Sequence, residues 1–321
     1  MAKNSNLHSA KAAKNDEFYT RLQDIENELY HYWYDRPETF KDKVVLCNCD
    51  DPNHSNFWVY FHKRYKELKL AGLIAIHYSV SEQAYVKTYT GGDDYNIEVG
   101  VVTYLQGDGD FRSAECIEIL KMADIVVTNP PFSLFREYIS QLMEYNKKFI
   151  IIGNLNAVTY KEVFPLIRDN KIWFGVTRHG TGSMWFEISE DMPDKKGQKE
   201  VDGVRLQTIG NSCWFTNIDI PRRHERLITG SFYEGNEEKY PKYDNYDAIN
   251  VDKVTDIPED YDGVIGVPIT FLGKHNPEQF EIIGQMANTN ITDTNFGYPF
   301  IEGKKKYARI LIKALPYIEE E

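Results

Sequence analysis

The tetrapeptide Asn129-Pro130-Pro131-Phe132 combines groups that can act together on a planar amine. Asn129 offers a side-chain amide oxygen as an acceptor. Pro130 and Pro131 have fixed φ and no N–H, so the turn resists being drawn into a helix and the Pro130 carbonyl can face a ligand. Phe132 adds a flat apolar ring. Two acceptors beside a stacking plate suit a planar group that carries an NH2, such as the amino edge of adenine or cytosine. The same residue types also make an ordinary turn, and the surrounding chain must discriminate.

The surroundings supply a strand before the turn and a helix after it. Asp124-Ile125-Val126-Val127-Thr128 is a short Ile/Val run bounded by turn residues, the mark of a buried strand of parallel type. Phe135, Tyr138, Ile139, Leu142 and Met143 then recur at helical spacing. The turn therefore stands at the carboxyl end of a strand, where open α/β sheets bind ligands. Upstream, Val44 to Cys49 reads as a first buried strand, with Cys47 and Cys49 facing one side. It runs into Asp50-Asp51-Pro52-Asn53-His54-Ser55-Asn56 and a helix carrying Phe57, Phe61, Tyr65 and Leu68. Ser55 is the natural N-cap, and Asn53 and Asn56 are residues that tolerate left-handed geometry in place of glycine.

Thr20 and Gln23 have capping-box spacing for a helix whose buried stripe is Leu22, Ile25 and Leu29. Leu73 to Tyr78 is the next strand, and Tyr85 to Leu105 a hairpin turning at Gly91-Gly92-Asp93-Asp94. Asp108 follows that hairpin, so a third strand end carries an acid. Phe149 to Gly153 is a further apolar strand. Strands alternating with helices predict an α/β chain with a parallel sheet. Beyond it come β-rich pieces at Ser183 to Ile188 and Cys213 to Thr216, a Tyr- and Asp-rich stretch, and a short helix over Asn276 to Ile283. The expected organisation is a flexible arm at 1–15, a catalytic domain at 16–220 and a smaller region at 221–321.

With 321 residues, 42% of them hydrophobic, the chain can build a large core. A net charge of −12 argues against binding nucleic acid through the whole surface, though not through a local basic face. Cys47, Cys49, Cys116 and Cys213 form no CxxC pair and read as buried reduced thiols. The histidines lack metal-ligand spacing, so no metal is expected. No signal peptide or membrane span is evident, which predicts a cytoplasmic protein.

Phe18-Tyr19-Thr20, Cys49-Asp50-Asp51-Pro52, Gly107-Asp108-Gly109-Asp110-Phe111 and Thr128-Asn129-Pro130-Pro131-Phe132, in this order, resemble the EcoRI-type adenine-specific DNA methyltransferases. The resemblance continues in Tyr240-Pro241-Lys242-Tyr243-Asp244-Asn245-Tyr246-Asp247 and Gly266-Val267-Pro268-Ile269-Thr270-Phe271-Leu272, and so covers nearly the whole chain. It implies a class I methyltransferase fold: a Rossmann-like, mostly parallel sheet with helices on both faces, plus a smaller β-rich C-terminal region. The implied methyl donor is S-adenosylmethionine and the implied substrate double-stranded DNA.

By that resemblance Asn129 and the Pro130 carbonyl accept hydrogen bonds from the adenine N6 amino group, with Pro131 completing the turn and Phe132 stacking on the extruded base. Tyr19 and Thr20 help hold the cofactor's methionine end, Asp50 or Asp51 its charged or hydroxyl groups, and Asp108 its adenine. Phe18, Cys49, Pro52 and Phe111 fall in the same cofactor segments. The chain departs from the Asp-Pro-Phe-x-Gly-x-Gly loop of many amino-methyltransferases, matching it only at Asp51-Pro52. The strand ending at Tyr78 also lacks a terminal acid for the ribose, leaving Glu82 as the candidate.

Phosphate contacts are expected from the densest basic groups, Lys304, Lys305 and Lys306 together with Arg222 and Arg223; the alternative is a solvated charged face. The protein would be the protective partner of a restriction endonuclease, acting without a stable complex with it, or an orphan relative. Two other readings stay open at this stage: an N4-cytosine methyltransferase, whose acceptor motif asks for similar groups, and a catalytically silent DNA-binding module.

Overall fold

The computed structural model describes residues 18–177, 184–190 and 192–316, so the expected arm at 1–15 lies outside the described residues. Its strands are, in chain order, β1 (Tyr19–Thr20), β2 (Val44–Cys47), β3 (Gly72–His77), β4 (Tyr85–Tyr89), β5 (Val101–Tyr104), β6 (Ile125–Thr128), β7 (Lys148–Asn154), β8 (Trp173–Phe174) and β9 (Met184–Glu187). They continue with β10 (Gln198–Val201), β11 (Val204–Ile209), β12 (Ser212–Thr216), β13 (Ile249–Asn250), β14 (Ile265–Pro268), β15 (Phe280–Met286), β16 (Phe300–Ile301), β17 (Lys304–Lys305) and β18 (Arg309–Ala314). These elements form two compact units. One takes in the described residues of Met1–Asn154 and Gly180–Ile218, the other those of Leu155–His179 and Asp219–Glu321.

The first unit is built on a sheet in the order β5-β4-β3-β2-β6-β7-β12. Its middle is parallel, β3 to β2, β2 to β6 and β6 to β7. Its flanks are antiparallel, β3 to β4, β4 to β5 and β7 to β12. The sheet is thus mixed rather than mostly parallel. At one flank the reason is local: β4 and β5 are consecutive strands of a hairpin, whose connection turns through Gly91 at φ 98° and Gly92 at φ 140°, and a hairpin pairs antiparallel. The parallel middle shows the burial that its apolar runs require, with every residue of β6 buried. A smaller antiparallel sheet, β1-β9-β11-β10, completes the unit.

Helix starts explain themselves in part. The Asn56–Lys63 helix is capped by Ser55, whose hydroxyl accepts from the Phe57 N–H at 3.1 Å. The Ala114–Met122 helix is capped in the same way by Ser113. The capping box expected at Thr20 and Gln23 does not form. Thr20 is instead drawn into β1 opposite Phe186, Arg21 takes the cap position, and the Arg21 guanidinium pairs with Asp24 in the first turn. The Phe135–Glu144 helix buries Phe135, Tyr138, Ile139 and Leu142 as its spacing requires.

In the second unit the sheet runs β13-β14-β18-β15. Asn276 to Ile283 is not helical: a turn closed by Phe280 N–H to the Asn276 carbonyl leads straight into β15. Phe280 and Ile282 are buried while Glu281 between them is exposed, a two-residue period that fits a strand rather than a helix. Cys49 also departs from expectation, because β2 ends at Cys47 and Cys49 lies in the following turn. All four cysteines are free thiols, three buried and Cys49 half-buried. No described helix is long and apolar enough to cross a membrane.

One glycine ties this core to the turn at Asn129. A Cβ on Gly153 of β7 would stand 2.5 Å from the Phe135 ring and 2.9 Å from that of Phe215. Phe135 opens the helix that follows the Asn-Pro-Pro turn. Gly153→Ala should therefore overpack the core and cost roughly 1–3 kcal/mol. The check is a urea titration, in which the midpoint falls while the slope is unchanged.

Candidate active site

β2 and β6 are neighbours, so the residues following them meet at one end of the sheet. The Thr128 hydroxyl donates to the Asp50 carboxylate and joins the two strand ends. Burial pushes the Asp50 carboxyl up to about 7, even though hydrogen bonds from Thr128, Ser55 and the Asn129 N–H favour its ionised form. Below Asp50, the buried Tyr138 hydroxyl donates to the Asn48 side chain. This fastens the helix after the turn to the loop after β2.

The Asn129 side chain has a fixed orientation. Its Nδ2 donates to the Phe18 carbonyl at 3.2 Å, and its Oδ1 is buried with no partner among the described residues. Phe18 is itself held, packing its ring edge-on to Phe186 at 6.3 Å beside the β1–β9 pairing. Thr20, only 3% exposed, also has a buried hydroxyl with no partner among the described residues. Each such orphan costs about 1–3 kcal/mol unless a ligand satisfies it. Two orphans on one short stretch of wall fit a polar ligand group there. Pro131 is exposed, and Phe132 is half-exposed in a single 3-10 turn closed by Leu134 N–H to the Pro131 carbonyl. That leaves the Phe132 ring available for stacking.

Asp51 is engaged within the protein. Its Oδ1 accepts from the Asn53 N–H and the Tyr85 hydroxyl, each at 3.0 Å, and its Oδ2 lies 3.0 Å from His54 and 3.4 Å from His77. Burial works against ionisation, but the bonds with His77, Asn53 and His54 outweigh it and hold the carboxyl well below the usual range. Asn53 also donates to the Tyr85 hydroxyl and Asn56 to the Thr20 carbonyl. Neither asparagine adopts the left-handed conformation expected of a glycine substitute. The loop is shaped by side-chain hydrogen bonds instead.

The loop carrying Asp108 packs on the end of β3. Ser79 N–H donates to the Asp108 carbonyl at 2.9 Å, and a Cβ on Gly109 (φ 82°) would stand 2.8 Å from the His77 carbonyl oxygen. Asp108 itself is exposed. Phe111 is 5% exposed and packs edge-on to Tyr138 at 4.9 Å, so it supports the wall from inside. Phe18, Thr20, Asp50, Thr128 and Asn129 thus come together, with Pro52 buried and Cys49 half-buried beside them. His77 and Tyr85, stacked at 4.9 Å, were not singled out in the sequence. The only signal for them was a histidine ending an apolar strand and a tyrosine opening the next.

The expected phosphate-binding residues divide. Arg223 has 11% of its side chain exposed, stacks on Trp173 at 3.7 Å and bonds Asn170, while Arg222 donates to the Val176 carbonyl. Both are committed to packing within the second unit. Lys304 and Lys305 are exposed in β17, Lys305 lying over the Tyr298 ring, and Lys306 is half-buried. Among the described residues no group of three or more His, Cys, Asp and Glu could hold a metal ion.

The strand ends thus carry, on an α/β scaffold, an amide acceptor unpaired among the described residues and a half-exposed ring. The family model described as "Adenine-specific methyltransferase EcoRI" matches residues 6–314, and the chain belongs to that family. It is 49% identical to the Type II methyltransferase M.EcoRI of Escherichia coli, with 97% of each chain covered. It is also 40% identical to M.MpnI of Mycoplasma pneumoniae, over 96% of this chain and 97% of the relative. To M.MgeORF184P of Mycoplasma genitalium it is 39% identical, over 96% and 98%. No solved structure gives a significant match. The family's adenine specificity decides against the cytosine and silent-module readings.

The Asp50 environment has a measurable consequence. Its folded pKa of about 7 lies above the 3.8 of an unperturbed carboxyl. The neutral carboxyl therefore favours folding below about pH 4, and that contribution is lost as pH rises to about 7. A carbon-13 titration of Asp50 should show a midpoint near 7. Thr128→Val, which removes a bond favouring the anion, should move the midpoint upward; a midpoint near 4 in the wild type would contradict the burial assigned here.

Proposed function

We propose that the protein transfers a methyl group from S-adenosylmethionine to N6 of an adenine extruded from double-stranded DNA. The observation that supports this most directly is the buried, unpartnered Asn129 Oδ1, held in place by the bond from Nδ2 to Phe18. An acceptor fixed in this way, next to a turn whose second carbonyl is on Pro130, suits the two hydrogens of an exocyclic amine. The N6 lone pair of adenine is delocalised into the ring, which makes the amine a poor nucleophile. Accepting both of its hydrogens favours a pyramidal nitrogen and concentrates the lone pair on one side. Positioning then carries most of the catalysis, and no strong general base is required.

S-adenosylmethionine, when bound, supplies an electrophilic sulfonium methyl. The residues suited to hold it are Phe18, Tyr19 and Thr20 at the methionine end, and Asp108 at the adenine. Asp50, with Cys49 and Pro52 in the same loop, lies nearest the amide clamp. In this reading Asp51 shapes the loop, since its oxygens are already matched by Asn53, Tyr85, His54 and His77. The fold is then of class I, Rossmann-like at its parallel middle. The catalytic part is assigned to residues 16–220 and target recognition to 221–321. Flipping the base costs a few kcal/mol, and stacking on Phe132, worth ~1–3 kcal/mol, offsets much of it. The enzyme is assigned to the cytoplasm, as the protective partner of a restriction endonuclease with which it forms no stable complex.

The test is incubation with labelled S-adenosylmethionine and mixed-sequence duplex DNA, followed by identification of the modified base. N6-methyladenine is expected; N4-methylcytosine, or no transfer, refutes the reading. Asn129→Ala should lower transfer by at least 10²–10³-fold, on the order of losing one aimed polar group in an active site, with cofactor binding still measurable by calorimetry. Phe132→Ala should lower kcat/KM for duplex by about 5–150-fold, the equivalent of ~1–3 kcal/mol of stacking. That loss should shrink when the target adenine is mismatched, because a mismatched base is cheaper to extrude.

A further inference from the structure

The second unit holds a cleft of about 600 Å³ away from the Asn-Pro-Pro turn in the chain, lined among others by Phe232, Asn236, Lys239, Asp252, Asp256 and Lys306, with Tyr240 and Pro241 of the Tyr-rich motif also on its wall. Its rim is held rigidly. Glu259 accepts from the Thr229 and Gly230 N–H groups at 2.6 and 2.8 Å, and Asp260 accepts from those of Tyr233 and Glu234. The Ser231 hydroxyl donates to the Thr255 carbonyl, the Thr229 hydroxyl to that of Ile257, and Tyr233 packs on Tyr261 at 4.6 Å. Yet the rim presents Phe232 outward, 53% exposed. Ordering a loop this tightly while leaving a large apolar ring in water suits a contact residue, since the ring needs no further ordering when it meets a partner.

The charges around the cleft are sorted. Glu259 and Asp260, which make this stretch look hostile to phosphate, are spent on backbone N–H groups, and both carboxyls lie below their usual range for that reason. Asp252 is matched by the Arg309 guanidinium at 2.6 Å. Lys239 and Lys306 are the cations on the cleft, Lys306 also favouring the Asp252 anion and Lys239 bonded only to the Asn236 amide oxygen among described residues, while Asp256 adds one anion. The side chains of Asn236 and Asp256 add polar groups of the kind that read base edges, and a phenylalanine can pack on a thymine methyl. We propose that this cleft is where the second unit grips and reads duplex DNA: Lys239 and Lys306 on phosphates, and Phe232 against the bases. The inference rests on the functional reading above.

The experiment uses the full chain and a duplex carrying the sequence in which the wild type places its methyl group, mapped by sequencing methylated plasmid. Lys239→Ala and Lys306→Ala should each weaken binding of all duplexes and reduce the slope of log affinity against log salt by about 1. Phe232→Ala should leave cofactor binding and melting temperature unchanged. It should lower the preference for the mapped duplex over one with a single changed base pair by about tenfold. Unchanged salt slopes and an unchanged preference, with wild-type transfer to DNA intact, overturn the cleft assignment alone. A wild type that methylates no DNA overturns both readings.

Discussion

The bond from the Asn129 amide to the Phe18 carbonyl decides what the site can do. An asparagine side chain is ambivalent, with donors at one end and an acceptor at the other. Spending a donor on a backbone carbonyl fixes the amide and leaves its acceptor oxygen unpaired among the described residues. Several elements of the first unit converge on that bond. β1 and β9 hold Phe18, β2 and β6 bring Asp50 under Thr128, and Gly153 leaves room for the Phe135 ring that starts the following helix. A residual cost, the unpaired oxygen, is built in and is relieved only by a donor from outside.

The loop after β2 is shaped by side chains rather than by glycines. Where related enzymes of this chemistry use glycines to let the backbone approach a ligand, this chain uses asparagine, histidine and tyrosine side chains bonded around Asp51. The result is a loop whose shape depends on a carboxylate remaining ionised. Asp50 next to it is pushed the other way by burial, to about 7. Adjacent acids with opposite tendencies are unlike two equivalent ligands, and they divide the work of shape and contact.

The middle of the first unit could be read from the chain because each of its strands is an unbroken apolar run, and the Asn-Pro-Pro turn could be read because prolines leave few alternatives. The flanks could not. β1 has only two residues, too few to show a period, and its partner Phe186 lies far along the chain. Thr20 therefore looked like a helix cap, although it is a strand residue. Arg223 looked like a surface cation because charge patterns carry no information about Trp173, which covers it. Asn276 to Ile283 reads as a helix with Pro277 in its first turn, but the exposed Glu281 between buried neighbours identifies a strand from Phe280 once β18 is beside it. The candidate site was legible as a set of residues; which oxygen of the set stays unpaired depended on packing.

The rim around Phe232 has a consequence for descent. Its fastenings, Glu259, Asp260, Thr255 and Ile257, all belong to the same unit as the ring they present. A lineage could exchange the presented side chain, or its lysine neighbours, without touching any residue that shapes the candidate site around Asn129. Drift in which sequence is marked, and persistence in how the mark is made, would then proceed under separate selection.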